Sequence, residues 1–200
     1  MSWHDSWVVI TGEPKENLFE EFGLEETGEE GDVREVGNPY SYLDLGGARL
    51  LLYSNQWGLA DEDILKLLSS GREVLAFQCQ DQVEAPSTAL CVARNGEALW
   101  RIESVGDELT VMGQPPAEFE PIRRKYERQI GDDPSVAIMY EVAHDLGEVL
   151  CGFALEKDFR PFKGLRLLET SPLKPEPSKW PSPLLCLVLV LIVLGMILLF

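Results

Sequence analysis

Residues 89–103 read ALCVARNGEALWRIE, two apolar runs on either side of Asn95 and Gly96. An Asn-Gly pair accepts the positive φ angles of a type I′ turn, whose twist matches that of two antiparallel strands. This stretch therefore predicts a β-hairpin, and with it an antiparallel sheet. Downstream, Gly106 and Asp107 separate the hairpin from a further strand at 108–112. Upstream, EVLAFQCQ at 73–80 adds another strand. Nearer the start, the run from Trp7 to Ile10 reads as a strand ended by Gly12, and Gly46-Gly47 joins two strands within 40–53.

Helical periodicity appears between these strands. Leu18, Phe19, Phe22 and Leu24 give residues 13–24 a broad apolar face. Asp61 opens a second helix, DEDILKLLSS, with acids in its first turn and Gly71 as its stop. Pro115 and Pro116 introduce a third, to Ile130, with Phe119, Ile122 and Tyr126 on its apolar stripe. A fourth, over 136–150, is expected to bury Val136, Met139, Tyr140, Ala143, Leu146 and Leu150. The acidic stretch 25–37 reads as a solvated loop, and a last short strand is expected at 164–168. Hairpins flanked by helices predict an α+β fold, an antiparallel sheet packed with about four helices on one face.

The C-terminus has a different character. Residues 171–183 hold five prolines and read as a stiff linker. Residues 184–200 carry no charge and read as a transmembrane helix, roughly 26 Å long at about 1.5 Å per residue. Its anchor positions are Trp180, Leu184, Leu187, Leu191, Leu194, Leu198 and Phe200, with Lys174 and Lys179 on the near side. The expected layout is an acidic soluble domain at 1–170, a linker at 171–183 and a membrane tail anchor at 184–200. The N-terminus lacks a secretory signal, so the domain is expected to face the cytoplasm.

Charge narrows the partners. Residues 1–152 carry 30 acidic against 11 basic side chains, within a chain whose net charge is −17. Such a surface repels phosphate backbones and excludes nucleic acid as a partner; it suits a basic protein instead. Cys79, Cys91, Cys151 and Cys186 form no CxxC or Cys/His pattern and suit a reducing compartment. No cofactor-binding loop of the GxGxxG or GxxxxGK[ST] kind occurs, so no cofactor is expected.

His4 and His144 are the chain's two histidines, which removes most acid–base and metal schemes. Glu141-x-x-His144 matches half of a carboxylate-iron motif, but a second histidine-bearing copy is missing. Glu141, His144, Asp145 and Glu148 are therefore expected on the solvated face of an amphipathic helix. Cys151 lies two helical turns from His144, too far for a nucleophile pair. Trp100 is expected in the core, whereas Trp3 and Trp57 sit in loop-like contexts as partner-contact positions.

Leu99-Trp100-Arg101-Ile102, the run from Gly113 through Pro115 and Pro116 to Phe119, Ile122-Arg123, and Leu150 to Phe153 share one order of motifs. That order resembles a group of small uncharacterised bacterial proteins with an LW…GxPPxE[FL]…IR…GF pattern. The resemblance covers about residues 1–160 and implies a bacterial origin, hence the inner membrane, with no activity attached. The expected function is a tail-anchored module presenting its acidic domain to a basic protein, in an immunity-like or scaffold role, rather than an enzyme. The second expectation is a membrane-associated, carboxylate- and metal-dependent enzyme.

Overall fold

The computed structural model describes residues 3–33, 40–55, 58–81, 86–106, 108–130, 139–154 and 160–173. Along the chain these form β1 (Trp3–Thr11), α1 (Lys15–Phe22), β2 (Leu24–Gly31), β3 (Tyr40–Asp44), β4 (Arg49–Ser54), α2 (Glu62–Leu68), β5 (Glu73–Asp81), β6 (Ser87–Arg94), β7 (Glu97–Val105), β8 (Glu108–Gly113), α3 (Phe119–Ile130), α4 (Tyr140–Cys151) and β9 (Phe162–Leu167). The strands make one open sheet of nine, in the order β2-β9-β3-β4-β1-β5-β6-β7-β8. Every described pairing in it is antiparallel. The expected α+β class, with its antiparallel hairpins and four helices, is what the described residues show.

The hairpin at Asn95-Gly96 forms as its sequence predicts, with φ of 53° and 82° at the two turn residues. Its tip is fastened to the end of α2. Asn95 N–H donates to the Ser69 carbonyl, Gly96 N–H donates to Ser69 Oγ at 2.8 Å, and Gly71 N–H donates to Asn95 Oδ1 at 2.9 Å.

Helices cover both faces of the sheet, not one. Trp7, Val9, Leu51, Phe77, Leu90 and Ile102 point to the side where α3 and α4 lie. Val8, Ile10, Leu50, Leu52, Val74 and Ala76 point to the side of α1 and α2. Central strands buried on both faces need continuous apolar runs, and β1 and β4 have them in WVVI and LLLY. The expected loop at 25–37 is also corrected over its first half, because β2 is a strand pairing with β9. As an edge strand it leaves Glu25, Glu26, Glu29 and Glu30 exposed, which discourages edge-to-edge association. Glu25 meets Arg166 across the pair at 2.7 Å.

The expectation of a transmembrane helix is corrected as well. No helix among the described residues is long and apolar enough to cross a membrane. The longest of them, α3 and α4, have 12 residues each, about 18 Å against a bilayer core of about 30 Å. Residues 174–200, with Trp180, Leu184, Leu187, Leu191, Leu194, Leu198 and Phe200, lie outside the described residues. A tail-anchored module, its membrane placement and a basic partner at a membrane face all rest on such a helix and have no support among the described residues.

The last described residues pack back onto the sheet. Ser171 Oγ donates to the Phe22 carbonyl at 2.6 Å and accepts from Leu173 N–H at 3.2 Å, and Leu173 is buried beside α1. Ser171→Ala removes both contacts at a buried position. It is expected to cost about 2 kcal/mol, read as a lower urea midpoint at unchanged slope.

Candidate metal centre

Helix α4 lies against β5, β6 and β7 on one side and α3 on another. Val142, Ala143, Leu146 and Gly147 face inward. Its first turn is tied to the sheet through Thr88, whose Oγ1 donates to the Tyr140 carbonyl at 3.0 Å. Its last turn is tied through Arg49, whose Nη2 donates to the Cys151 carbonyl at 2.5 Å.

The positions 141, 144, 145 and 148 share one face of this helix, as three- and four-residue spacings require. That face is not the solvated one expected of it. Side-chain exposure falls from 34% at Glu141 to 29% at His144 and 16% at Glu148, and Asp145 stands at 27%. The most exposed apolar residue of α4 is instead Val149. At Asp145 the physical reason is α3, which brings Lys125 and Tyr126 onto the carboxylate, and at His144 it is the Phe77 ring of β5.

His144 stands between two carboxylates. Its Nδ1 lies 3.9 Å from Glu141 Oε2 and its Nε2 lies 3.8 Å from Glu148 Oε1. The ring also meets Phe77 edge-on, with centroids 5.9 Å apart. Phe77 is in turn stacked on Trp7 at 5.2 Å, so the imidazole rests on a rigid aromatic floor. One donor atom each from Glu141, His144 and Asp145 lies within 4.8 Å of the others, a grouping able to hold a metal ion. One imidazole with two carboxylates is a donor set suited to first-row divalent ions such as Zn²⁺, Mn²⁺ or Fe²⁺.

Asp145 is the most tightly held of the three. Lys125 Nζ and the Tyr126 hydroxyl both donate to its Oδ2, each at 2.7 Å. Burial pushes the Asp145 carboxyl up, but these two hydrogen bonds and the Lys125 charge outweigh it, leaving the group below its usual 3.8. Burial and the neighbouring carboxylate push the Tyr126 phenol up to about 12, so it stays a donor at neutral pH. A carboxyl lowered in the folded state stabilises the fold above its unfolded pKa, and that contribution is lost as pH falls through the folded value. Asp145→Asn should therefore destabilise the protein by about 1 kcal/mol at pH 7. The gap to wild type should narrow as pH falls below 3.8, measured by urea unfolding at pH 7 and across the acid range.

Among the described residues, the two buried cysteines, Cys91 and Cys151, stand outside this donor group. Burial pushes the Cys151 thiol to about 11 and the Cys91 thiol to about 11, which keeps both protonated and inert. Trp100 is in the core as expected. Trp57 lies outside the described residues, and of Trp3 only the backbone, paired with Asp81 in the sheet, is described. Sequence reasoning missed the parts played by Lys125 and Tyr126, whose distance of about 20 residues from Asp145 carries no local signal.

No family model, curated protein or solved structure matches the chain.

Proposed function

We propose that this domain is a divalent-metal-dependent enzyme of the carboxylate type, with its metal held on α4 by Glu141, His144 and Asp145. The observation that carries the reading is the convergence of those three donor atoms within 4.8 Å on a half-buried helix face. A first-row ion with three protein donors keeps positions open to water, and it supplies Lewis-acid polarisation and a bound water that ionises near neutral pH.

The surrounding residues suit that task. Glu148 stands on the opposite ring nitrogen of His144 from Glu141, at 3.8 Å, where its charge favours a positive ion at the site without a direct hydrogen bond to the ring. Tyr126 and Lys125 hold the Asp145 carboxylate through Oδ2, which fixes its position on the helix face. The Phe77 ring on the inner side of His144 limits rotation out of the face.

The test is calorimetric titration of the metal-free protein with Zn²⁺ and Mn²⁺ in buffered solution, followed by thermal unfolding. One ion should bind per chain. At a free-metal concentration near 100 times Kd the fold should gain about 2.7 kcal/mol. Turnover of chromogenic ester or phosphoester substrates should appear with the metal and vanish with Glu141→Gln. Weak binding with many ions per chain is the behaviour of a merely acidic surface and would overturn the proposal.

A further inference from the structure

Away from α3, the sheet ends in a cavity of about 540 Å³ bordered by the end of β1, the starts of β4 and β5, and Leu150 on the last turn of α4. Leu150 lies six residues beyond His144, about 9 Å along the helix, so this is separate from the metal centre. We propose that the cavity binds a free α-amino acid with an apolar side chain.

The charges bordering it point to a zwitterion. Acids outnumber bases two to one in this chain, 34 to 17, and most described cations have a carboxylate partner. Arg72 holds Glu21, Arg94 holds Glu73, Arg101 holds Glu103 and Arg166 holds Glu25. Arg49 differs. It is half-buried, its Nη2 donates to a backbone carbonyl, and it has no carboxylate partner among the described residues. Glu13, also half-buried, borders the same cavity and has no ion pair among the described residues either.

An opposite pair that shares a cavity without touching leaves a gap matched by a ligand carrying both charges. The ligand carboxylate would face the Arg49 guanidinium, whose forked donors suit it. The ammonium group would face Glu13. Between them, Val9, Leu75 and Val92 from the sheet and Leu150 from α4 form an apolar wall for an aliphatic side chain. The volume falls within the range of about 300 to 1,000 Å³ usual for small-molecule sites. Arg72 and Glu73 also stand at the border, so two cations face two carboxylates there, and a dianion gains no net attraction on a strongly acidic molecule. A simple fatty acid would leave Glu13 facing a second negative charge.

The deciding experiment is calorimetric titration of the full chain with L-leucine. 4-Methylpentanoate, which lacks the ammonium, and 3-methylbutylamine, which lacks the carboxylate, serve as controls. L-Leucine should bind once per chain, and each control at least about tenfold more weakly. Glu13→Gln should weaken L-leucine by about tenfold while leaving 4-methylpentanoate no weaker than before. Arg49 also secures the end of α4, so Glu13→Gln is the variant that decides. His144→Ala should leave L-leucine binding unchanged, which separates this site from the metal centre. Absence of saturable heat with L-leucine would overturn the proposal. So would equal binding of 4-methylpentanoate, or indifference to Glu13→Gln.

Discussion

Gly147→Val should destabilise the protein by about 3 kcal/mol or more, the largest loss expected of any single substitution on α4. A Cβ at Gly147 would stand 3.0 Å from Trp7 Cζ2, 3.2 Å from Trp7 Cη2 and 3.4 Å from Leu90 Cδ1. None of these neighbours can yield cheaply. Trp7 is buried and stacked on Phe77, and Leu90 is fully buried in the same cluster. Valine adds two further methyl groups where even the first is too close, and its branched β-carbon lowers helix propensity as well.

Alanine sharpens the reading. Gly147→Ala gains about 1 kcal/mol of helix propensity, which offsets part of the clash, so its net loss should stay near 1 kcal/mol. Pairing it with Trp7→Phe, which withdraws the six-membered ring that meets the new methyl, should give a positive coupling in a double-mutant cycle. Strict additivity in urea unfolding would mean that α4 can shift and that the contact is not rigid. Since Gly147 is one turn beyond His144, Gly147→Val should also lower metal affinity without touching a donor atom.

This close approach explains which parts of the fold are legible from sequence. The Asn95-Gly96 turn and the apolar stripe of α3 are local, and Phe119 and Tyr126 are buried as their spacing predicts. The inward face of α4 is legible only in part. Met139, Ala143 and Leu146 are buried as expected, Tyr140 and Leu150 are only half-buried, and Val136 lies outside the described residues, whereas Val142, Gly147 and Cys151 join the core because the helix is covered by sheet and by α3 at once. The pairing of β2 with β9, across about 140 residues, has no local signature. The acidity of β2 hides it further, since an exposed edge strand tolerates glutamates that a central strand would not. Continuous apolar runs in β1 and β4 did hold the signal for helices on both faces.

The same limit applies to the site. A Glu-x-x-His-Asp sequence on an isolated amphipathic helix is a solvated face by default, and packing against α3 and Phe77 changes that default. Nothing near position 145 foretells that Lys125 and Tyr126 will converge on Asp145 Oδ2.

His144→Ala should reduce Zn²⁺ affinity by at least about a hundredfold, since it removes the one nitrogen donor of the group. Stability of the metal-free protein should change little, because the imidazole is half-buried and its carboxylate neighbours lie beyond hydrogen-bond distance at 3.8 and 3.9 Å. Lys125 supplies the complementary test. Its ammonium beside Asp145 opposes any cation that approaches the same carboxylate. A unit charge repels a divalent ion by about 1.7 kcal/mol at about 5 Å in a water-like dielectric. Lys125→Met should therefore raise Zn²⁺ affinity by roughly tenfold while costing the metal-free fold only about 0.5 kcal/mol, since the Lys125 ammonium is half-exposed and Tyr126 still holds Asp145. The two substitutions move affinity in opposite directions only if the ion sits among Glu141, His144 and Asp145. If those residues form nothing more than an ion-pair network, His144→Ala leaves affinity where it was, and Lys125→Met costs stability with no gain in binding.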